Sequence, residues 1–227
     1  MSGDDVLDVR RLRALLAELS ESLRARGEHA VLFVVGGAAM VLAYDAHRST
    51  RDVDALFRPA VAVREVVGEV AARDRLQPDW VNDAVKGFLP GDDECPRTVF
   101  ESENLLVQVP SPEYLMAMKI FSGRDDRDLD DAARLFRLSG MSTAEQAIEL
   151  VGRTYPEHLL LPRHRYICFE VAARASRAVE EDRLLERVRR IHDMAVPDQG
   201  AAHSARASEE CPPRGAQHPQ QHHAPRR

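Results

Sequence analysis

Asp52 and Asp54 are the residues of this sequence whose type and spacing point most directly to chemistry. They stand two apart in the alternating run DVDALF, residues 52–57, where Val53, Ala55 and Phe57 fall on one side and Asp52, Asp54 and Leu56 on the other. Strand periodicity projects both carboxylates from one face. Placed side by side they repel, and a divalent cation that takes hard oxygen ligands, such as Mg²⁺, relieves the repulsion. Aspartate is also disfavoured inside strands; the plain alternative is an exposed edge strand that needs no metal.

The residues upstream sharpen this reading. Residues 30–35, AVLFVV, form a short apolar run rich in β-branched side chains and predict a buried strand. Gly36-Gly37 breaks it, and residues 38–46 read as a short helix of small side chains. A strand that turns through glycine into a helix leaves backbone N–H groups aimed outward, which suits phosphate. A Gly-Gly pair alone is more often just a tight turn. Followed by a helix and an Asp-x-Asp strand, it offers a place for a triphosphate and, beside it, one for a bridging metal.

The elements needed to position these groups are legible from periodicity and punctuation. Residues 5–26 predict an amphipathic helix with Leu12, Leu15, Leu16, Leu19 and Leu23 on its apolar stripe, stopped by Gly27. A helix is expected over 60–76 after Pro59, then an irregular stretch over 77–97 with at most one short strand, then strands VFES and LLVQV within 98–109. Ser111-Pro112-Glu113 supplies a cap, a first-turn proline and a first-turn acid, so a helix is expected over 112–122. Further helices are expected over 127–138, 143–153 and 164–194. The tail from 197 is rich in Pro, Gln, His and Ser and too poor in large apolar residues to fold alone. The fold class is therefore α/β (α+β): a small mixed sheet flanked by helices, followed by a helical C-terminal region. The expected division is an N-terminal helix over 1–27, a sheet domain over 28–125, a helical region over 126–196 and a disordered tail over 197–227.

Bulk properties exclude several classes. Cys95, Cys168 and Cys211 are scattered and unpaired in sequence, against both a disulfide framework and a zinc site. No basic leader or long apolar run is present, so a cytoplasmic protein without a membrane span is expected. The net charge is −6, with the excess acid in residues 1–110, so composition shows no strongly basic face. Of 31 basic residues only Lys86 and Lys119 are lysines. Codon bias accounts for the arginine excess and makes the lysines more noticeable. Lys119 falls mid-helix among apolar residues, where its stem could equally run out to solvent. Asp125, Asp126, Asp128, Asp130 and Asp131 could equally be a solvated helix start favoured by the dipole. Trp80 reads as core before it reads as a base-stacking platform.

The Gly-Gly turn followed by an Asp-x-Asp strand resembles the signature of the DNA-polymerase-β-like nucleotidyltransferase superfamily. Arg48-Ser49-Thr50-Arg51-Asp52-Val53-Asp54 is similar to the minimal bacterial branch related to AbiE toxins of type IV toxin–antitoxin systems (AbiEii-like proteins). Trp80-Val81-Asn82-Asp83 with Lys86-Gly87-Phe88-Leu89, and Val109 to Leu115 followed by Met118-Lys119, look like the same branch. The resemblance covers about residues 28–140. It implies that Gly36 and Gly37 cradle phosphates and that Asp52 and Asp54 bind Mg²⁺ or Mn²⁺. Lys119 would contact the triphosphate, and Asp128 in Arg127-Asp128-x-x-Asp131 would orient or deprotonate an acceptor hydroxyl. Arg48, just before the metal strand, could reach a phosphate or equally lie on the loop surface.

The expected activity is thus metal-dependent transfer of a nucleoside monophosphate from a nucleoside triphosphate (NTP) to an acceptor hydroxyl. The resemblance suggests tRNA as acceptor and a cognate antitoxin as partner; a polar small molecule such as an aminoglycoside, or a protein hydroxyl, is an open alternative acceptor. Two departures favour the alternative, a non-catalytic nucleotide-binding or partner-binding module that keeps the fold. Gln108 stands where a third metal-binding carboxylate is expected, unless Glu101 or Glu103 substitutes. Fourteen residues also separate Gly37 from Asp52, slightly more than usual.

Overall fold

The computed structural model describes residues 6–195 apart from Arg124; the expected tail and the start of the predicted first helix lie outside the described residues. Five strands form one mixed sheet: β1 (Ala30–Val34), β2 (Val53–Arg58), β3 (Val81–Asn82), β4 (Arg97–Glu101) and β5 (Leu105–Val109), in the order β3-β2-β1-β5-β4. β1 runs antiparallel to β2 and parallel to β5, β3 pairs parallel with β2, and β4 pairs antiparallel with β5. Among the described residues seven α-helices accompany the sheet: α1 (Val9–Ala25), α2 (Gly36–Ala39), α3 (Ala60–Asp74), α4 (Pro112–Ser122), α5 (Asp126–Leu138), α6 (Ala144–Thr154) and α7 (Pro162–Ala195). This is the mixed α/β architecture, with helices only after β5, that the sequence predicts. The chain divides into two compact units, through Glu181 and from Asp182, and the site described below belongs to the first.

α1 starts later than its apolar periodicity suggests. Asp8 caps it by accepting from the Arg11 N–H at 2.7 Å. Leu7, within the span expected to be helical, is instead paired as strand with Thr50, N–H to O at 2.8 and 3.0 Å in the two directions. That bridge anchors the loop leading into β2. The leucines of α1 and the buried side of α3 (Val63, Val66, Val67, Val70) join the sheet's Leu32, Val34, Ala55, Phe57, Leu105 and Val107 in one core.

β1 is not the fully buried strand that its apolar run predicts. Ala30, Leu32 and Val34 are buried, but Val31 is 46% exposed and Phe33 half-buried. Helices cover one face of the sheet, and the other is partly open. The register places Phe33 beside both Leu56 and Gln108, and Asp54 shares the face of Leu56 because side chains alternate along a strand.

The short helix after Gly36-Gly37 is a single α-turn that widens into a π-turn over Met40–Tyr44. Its apolar side chains are buried, and π-turns are often found beside functional sites. α4 is capped as expected, by the Ser111 hydroxyl accepting from the Tyr114 N–H at 3.3 Å with Pro112 in the first turn. α6 carries a full capping box between Thr143 and Gln146.

Candidate functional site

The first strand hands over to the Asp-x-Asp segment through close backbone contact. The Val35 N–H donates to the Asp54 carbonyl at 2.9 Å. Gly36 follows with φ +62°, a conformation costly for any other residue. A Cβ there would also stand 3.2 Å from Asp54 Oδ2. At Gly37 a Cβ would meet Thr50 Oγ1 at 2.9 Å. Both glycines therefore make room for side chains of the segment that carries the acids. Thr50 in turn donates its hydroxyl to the Asp52 carbonyl at 3.1 Å. Its role was missed in the sequence, although its place two residues before Asp52 was the available signal.

β2 begins at Val53, so Asp52 stands just before the strand and Asp54 within it. Asp52 is exposed and Asp54 half-buried. Both line a cleft of 420 Å³, together with Gly36, Gly37, Lys119 and Asp128. Four stretches distant in sequence thus meet at one opening. The cleft is completed by Val85, Phe88, Leu115, Met118 and Ser122 among others.

Lys119 does not run out to solvent. It is 9% exposed, and its ammonium lies 2.6 Å from Asp128 Oδ1 and 3.0 Å from Asp131 Oδ2. Asp131 is 3% exposed and pairs on its other side with Arg48 at 2.9 Å. The result is an alternating chain Arg48–Asp131–Lys119–Asp128. Burying such charges is costly unless each faces an opposite partner, and the alternation provides one. Asp128 is fixed by its backbone as well, since its N–H donates at 3.0 Å to Asp125, the cap of α5.

Arg48 is the predicted site residue that does not line the cleft. It borders a separate cavity with Asp45, Asp131 and Arg134, and Asp131 takes up its guanidinium. Arg127 hydrogen-bonds the Ser49 carbonyl. Leu7, Arg48 and Arg127 therefore hold the 48–52 loop from three sides.

Gln108 is likewise elsewhere. It lines a second cavity of 510 Å³ with Phe33, Leu56, Arg58, Asp92 and Asp93. Glu101 is exposed on β4 opposite Leu106, and Glu103 is exposed in the turn that follows; neither lines the cleft. The further carboxylate at the cleft is Asp128. Among the described residues no three His, Cys, Asp or Glu side chains are grouped so as to hold a metal ion.

The segment after β3 closes one side of the cleft. β3 is held to β2 with Asn82 in register with Asp54, and the Val53 N–H donates to the Trp80 carbonyl at 2.7 Å. Trp80 is 2% exposed, its indole N–H donating to the Val67 carbonyl at 3.3 Å, so it is core. Asp83 accepts from Lys86 and, at 2.6 Å, from Arg64 of α3. The Lys86 hydrogen bond, aided by Arg64 and opposed by desolvation, holds the Asp83 carboxyl below its ordinary range. Lys86 is thus a brace for this turn.

The sequence matches, over residues 10–136, the model of a family described as nucleotidyltransferase of unknown function (DUF6036). The chain belongs to this family. The DUF6036 match takes in the Gly-Gly turn, the Asp-x-Asp strand, Lys119, Asp128 and Asp131, every residue gathered around the cleft. A solved structure similar to the chain is that of an antigenic nucleotidyltransferase-like protein from Paracoccidioides brasiliensis. It is 15% identical, covers 59% of this chain and 78% of its own, and has a TM-score of 0.32. No curated protein matches the chain. Among the described residues no helix is long and apolar enough to cross a membrane.

Proposed function

We propose that this protein is a metal-dependent nucleotidyltransferase that moves a nucleoside monophosphate from an NTP to an acceptor hydroxyl, with the cleft of Asp52, Asp54, Lys119 and Asp128 as its active site. The observation that carries the reading is the convergence on one opening of two carboxylates, two glycines, a nearly buried lysine and a further acid.

The donor set fits Mg²⁺ or Mn²⁺. Two carboxylates from one chain segment supply hard oxygens, and Mg²⁺ characteristically keeps several waters and takes its other ligands from substrate phosphates. Asp52 and Asp54 would hold the ion, and when bound it would neutralise charge on the phosphates and activate the attacking oxygen. Gly36 and Gly37 let phosphate oxygens approach the backbone without a Cβ in the way. Lys119 turns its ammonium toward the β- and γ-phosphates while Asp131 keeps hold of its position. The acceptor oxygen forms its bond to the α-phosphorus as the bond to the bridging oxygen breaks, and pyrophosphate leaves. Asp128 orients the acceptor hydroxyl and takes its proton.

For the acceptor we propose tRNA, and for the protein a place in the AbiE-related branch with a cognate antitoxin as partner. The runs at 48–54, 80–89, 109–119 and 127–131 support that branch. Arg51 and Arg127 support the acceptor class, because with Ser49, Thr50 and Asp52 they border a space adjoining the cleft. Basic side chains beside the reacting centre suit a phosphodiester chain.

A second reading, a non-catalytic module that binds nucleotide, is favoured by the lack of a three-carboxylate group among the described residues. Incubation with each α-labelled NTP, Mg²⁺ and bulk tRNA, beside the Asp52→Ala/Asp54→Ala variant, separates the two. Label on tRNA that vanishes in the variant is expected. Magnesium-dependent NTP binding with no label on tRNA, protein or small acceptors would establish the non-catalytic module instead.

A further inference from the structure

Phe88 has no role in the functional reading above. It is a large apolar side chain left 59% exposed, on a turn bounded by Gly87 and Pro90, and it lines the same cleft as Asp52 and Asp54. We infer that Phe88 is the stacking platform for the nucleobase of the bound NTP, with Val85, Leu115 and Met118 as the rest of an apolar base pocket. The inference rests on the nucleotidyltransferase reading of the cleft.

Three observations carry it. The lining of the cleft divides by chemistry among its elements. The Gly-Gly turn, the Asp-x-Asp segment, Lys119 and Asp128 are polar or charged, whereas the 84–88 segment and the adjoining side of α4 are mainly apolar. A nucleoside triphosphate has the same division, an anionic chain at one end and a flat ring with a π-face at the other. Phe88 is also the aromatic residue at the cleft, since Trp80, the other platform considered from the sequence, is buried in the core.

The platform is held in place relative to the carboxylates. Asn82 is in register with Asp54, its Oδ1 accepts from the Ala84 N–H at 3.1 Å, and the Phe88 N–H donates to the Val85 carbonyl at 2.9 Å. Asp83, gripped by Arg64 and Lys86, fixes the turn between them. An exposed phenylalanine on a braced turn gives stacking area without having to be ordered on binding. Ser122 is the polar side chain on the α4 side of the apolar lining, apart from Lys119. Its hydroxyl already donates to the Met118 carbonyl at 2.8 Å, so recognition by stacking tolerates every base and reads none by its hydrogen-bonding edge.

The test is calorimetric binding of the four NTPs and of inorganic tripolyphosphate, each with Mg²⁺, to the full chain and to Phe88→Ala and Asp52→Ala/Asp54→Ala. Phe88→Ala is expected to weaken every NTP about tenfold, the scale of one lost base–aromatic stack, and to leave tripolyphosphate within about twofold. A Phe88→Trp variant keeps NTP affinity, and its introduced indole, distinguishable from buried Trp80, is quenched by NTPs but not by tripolyphosphate. Equal NTP affinity in wild type and Phe88→Ala, with binding still lost in the double aspartate variant, would overturn the stacking role and leave the active-site reading standing. A parallel loss of NTP and tripolyphosphate in Phe88→Ala would also overturn it. No NTP binding by the wild type would remove the active-site reading and the platform with it.

Discussion

Off the same face of the sheet open two cavities, one of 420 Å³ around Asp52, Asp54 and Lys119, the other of 510 Å³ around Gln108, Leu56 and Asp93. In the larger, the one carboxylate that is not fully exposed is already committed. Asp93 accepts from the Ser111 hydroxyl at 3.0 Å and the Cys95 N–H at 3.1 Å, and so shapes the turn before β4. The rest of that lining is chiefly apolar side chains and backbone. In the smaller cleft, charged groups from three stretches of chain face one opening, and two glycines are kept where a Cβ would collide with the acid-bearing segment. Volume ranks the cavities one way and chemistry the other. Chemistry is the better guide, because a buried charge chain costs stability that packing alone does not require, and Gly36 and Gly37 stand where a Cβ would crowd Asp54 and Thr50.

The largest expected effect separates the cavities outright. Asp52→Ala/Asp54→Ala should reduce nucleotidyl transfer at least about a thousandfold, the scale of losing metal-supported charge stabilisation. Gln108→Ala and Asp92→Asn, in the other cavity, should change the rate less than about twofold. A comparable loss from Gln108→Ala, measured as labelled product per unit time, would move the site across the sheet.

Next in size is the charge chain. Lys119→Met leaves Asp131 without one of its two cations in a nearly buried position, and should cost about 2–4 kcal/mol in urea denaturation as well as activity. Arg48→Met should also destabilise, by about 1–3 kcal/mol, although Arg48 does not line the cleft. Its effect should be strongly non-additive with Asp131→Asn in a double-mutant cycle. Additivity would mean that the two residues act separately.

Much of this site was legible from residues close together in sequence. The i, i+2 acids, the Gly-Gly turn and the Ser-Pro-Glu start of α4 are local signals, and the folded chain uses each. What could not be read depends on partners far away. Arg48 could be seen near the acids, but its pairing with Asp131, 83 residues on in the sequence, is a tertiary contact. Leu7 falls within the span expected to be helical and pairs with Thr50 instead, because Asp8 caps the helix after it. Gln108 was placed by analogy on the right strand, yet the register sets it beside Phe33, level with Leu56 and not with Asp54. Val31 sits in an apolar run and is exposed, because helices cover only one face of the sheet.

A smaller effect tests the glycines. Gly37→Ala should cost about 1–2 kcal/mol and slow transfer, because its Cβ meets Thr50 Oγ1. Thr50→Ala in the same chain should recover part of that loss. No recovery would show that the constraint lies in the backbone of α2 and not in this contact.

The smallest effect concerns the region away from the cleft. His164 is buried, its Nδ1 accepting from the Leu161 N–H at 3.0 Å. Burial, then the neighbouring charge of Arg163, lowers its pKa from the ordinary value of 6.5. The unfolded chain therefore takes up this proton at a higher pH than the folded one. The contribution is fully present above pH 6.5 and is lost as pH falls through the lowered value. Unfolding free energy should decline on acidification below pH 6.5, and His164→Gln should flatten that slope without altering Mg²⁺-dependent NTP binding at pH 7.5.

Electron paramagnetic resonance of Mn²⁺ shows whether Asp52 and Asp54 hold a metal together with an NTP. The ion is titrated into the protein with and without an α,β-methylene NTP that cannot be cleaved. Mn²⁺ should bind far more tightly when the nucleotide is present, and this gain should be lost in Asp52→Ala/Asp54→Ala. Mn²⁺ and nucleotide binding that is unchanged in the double variant would contradict it.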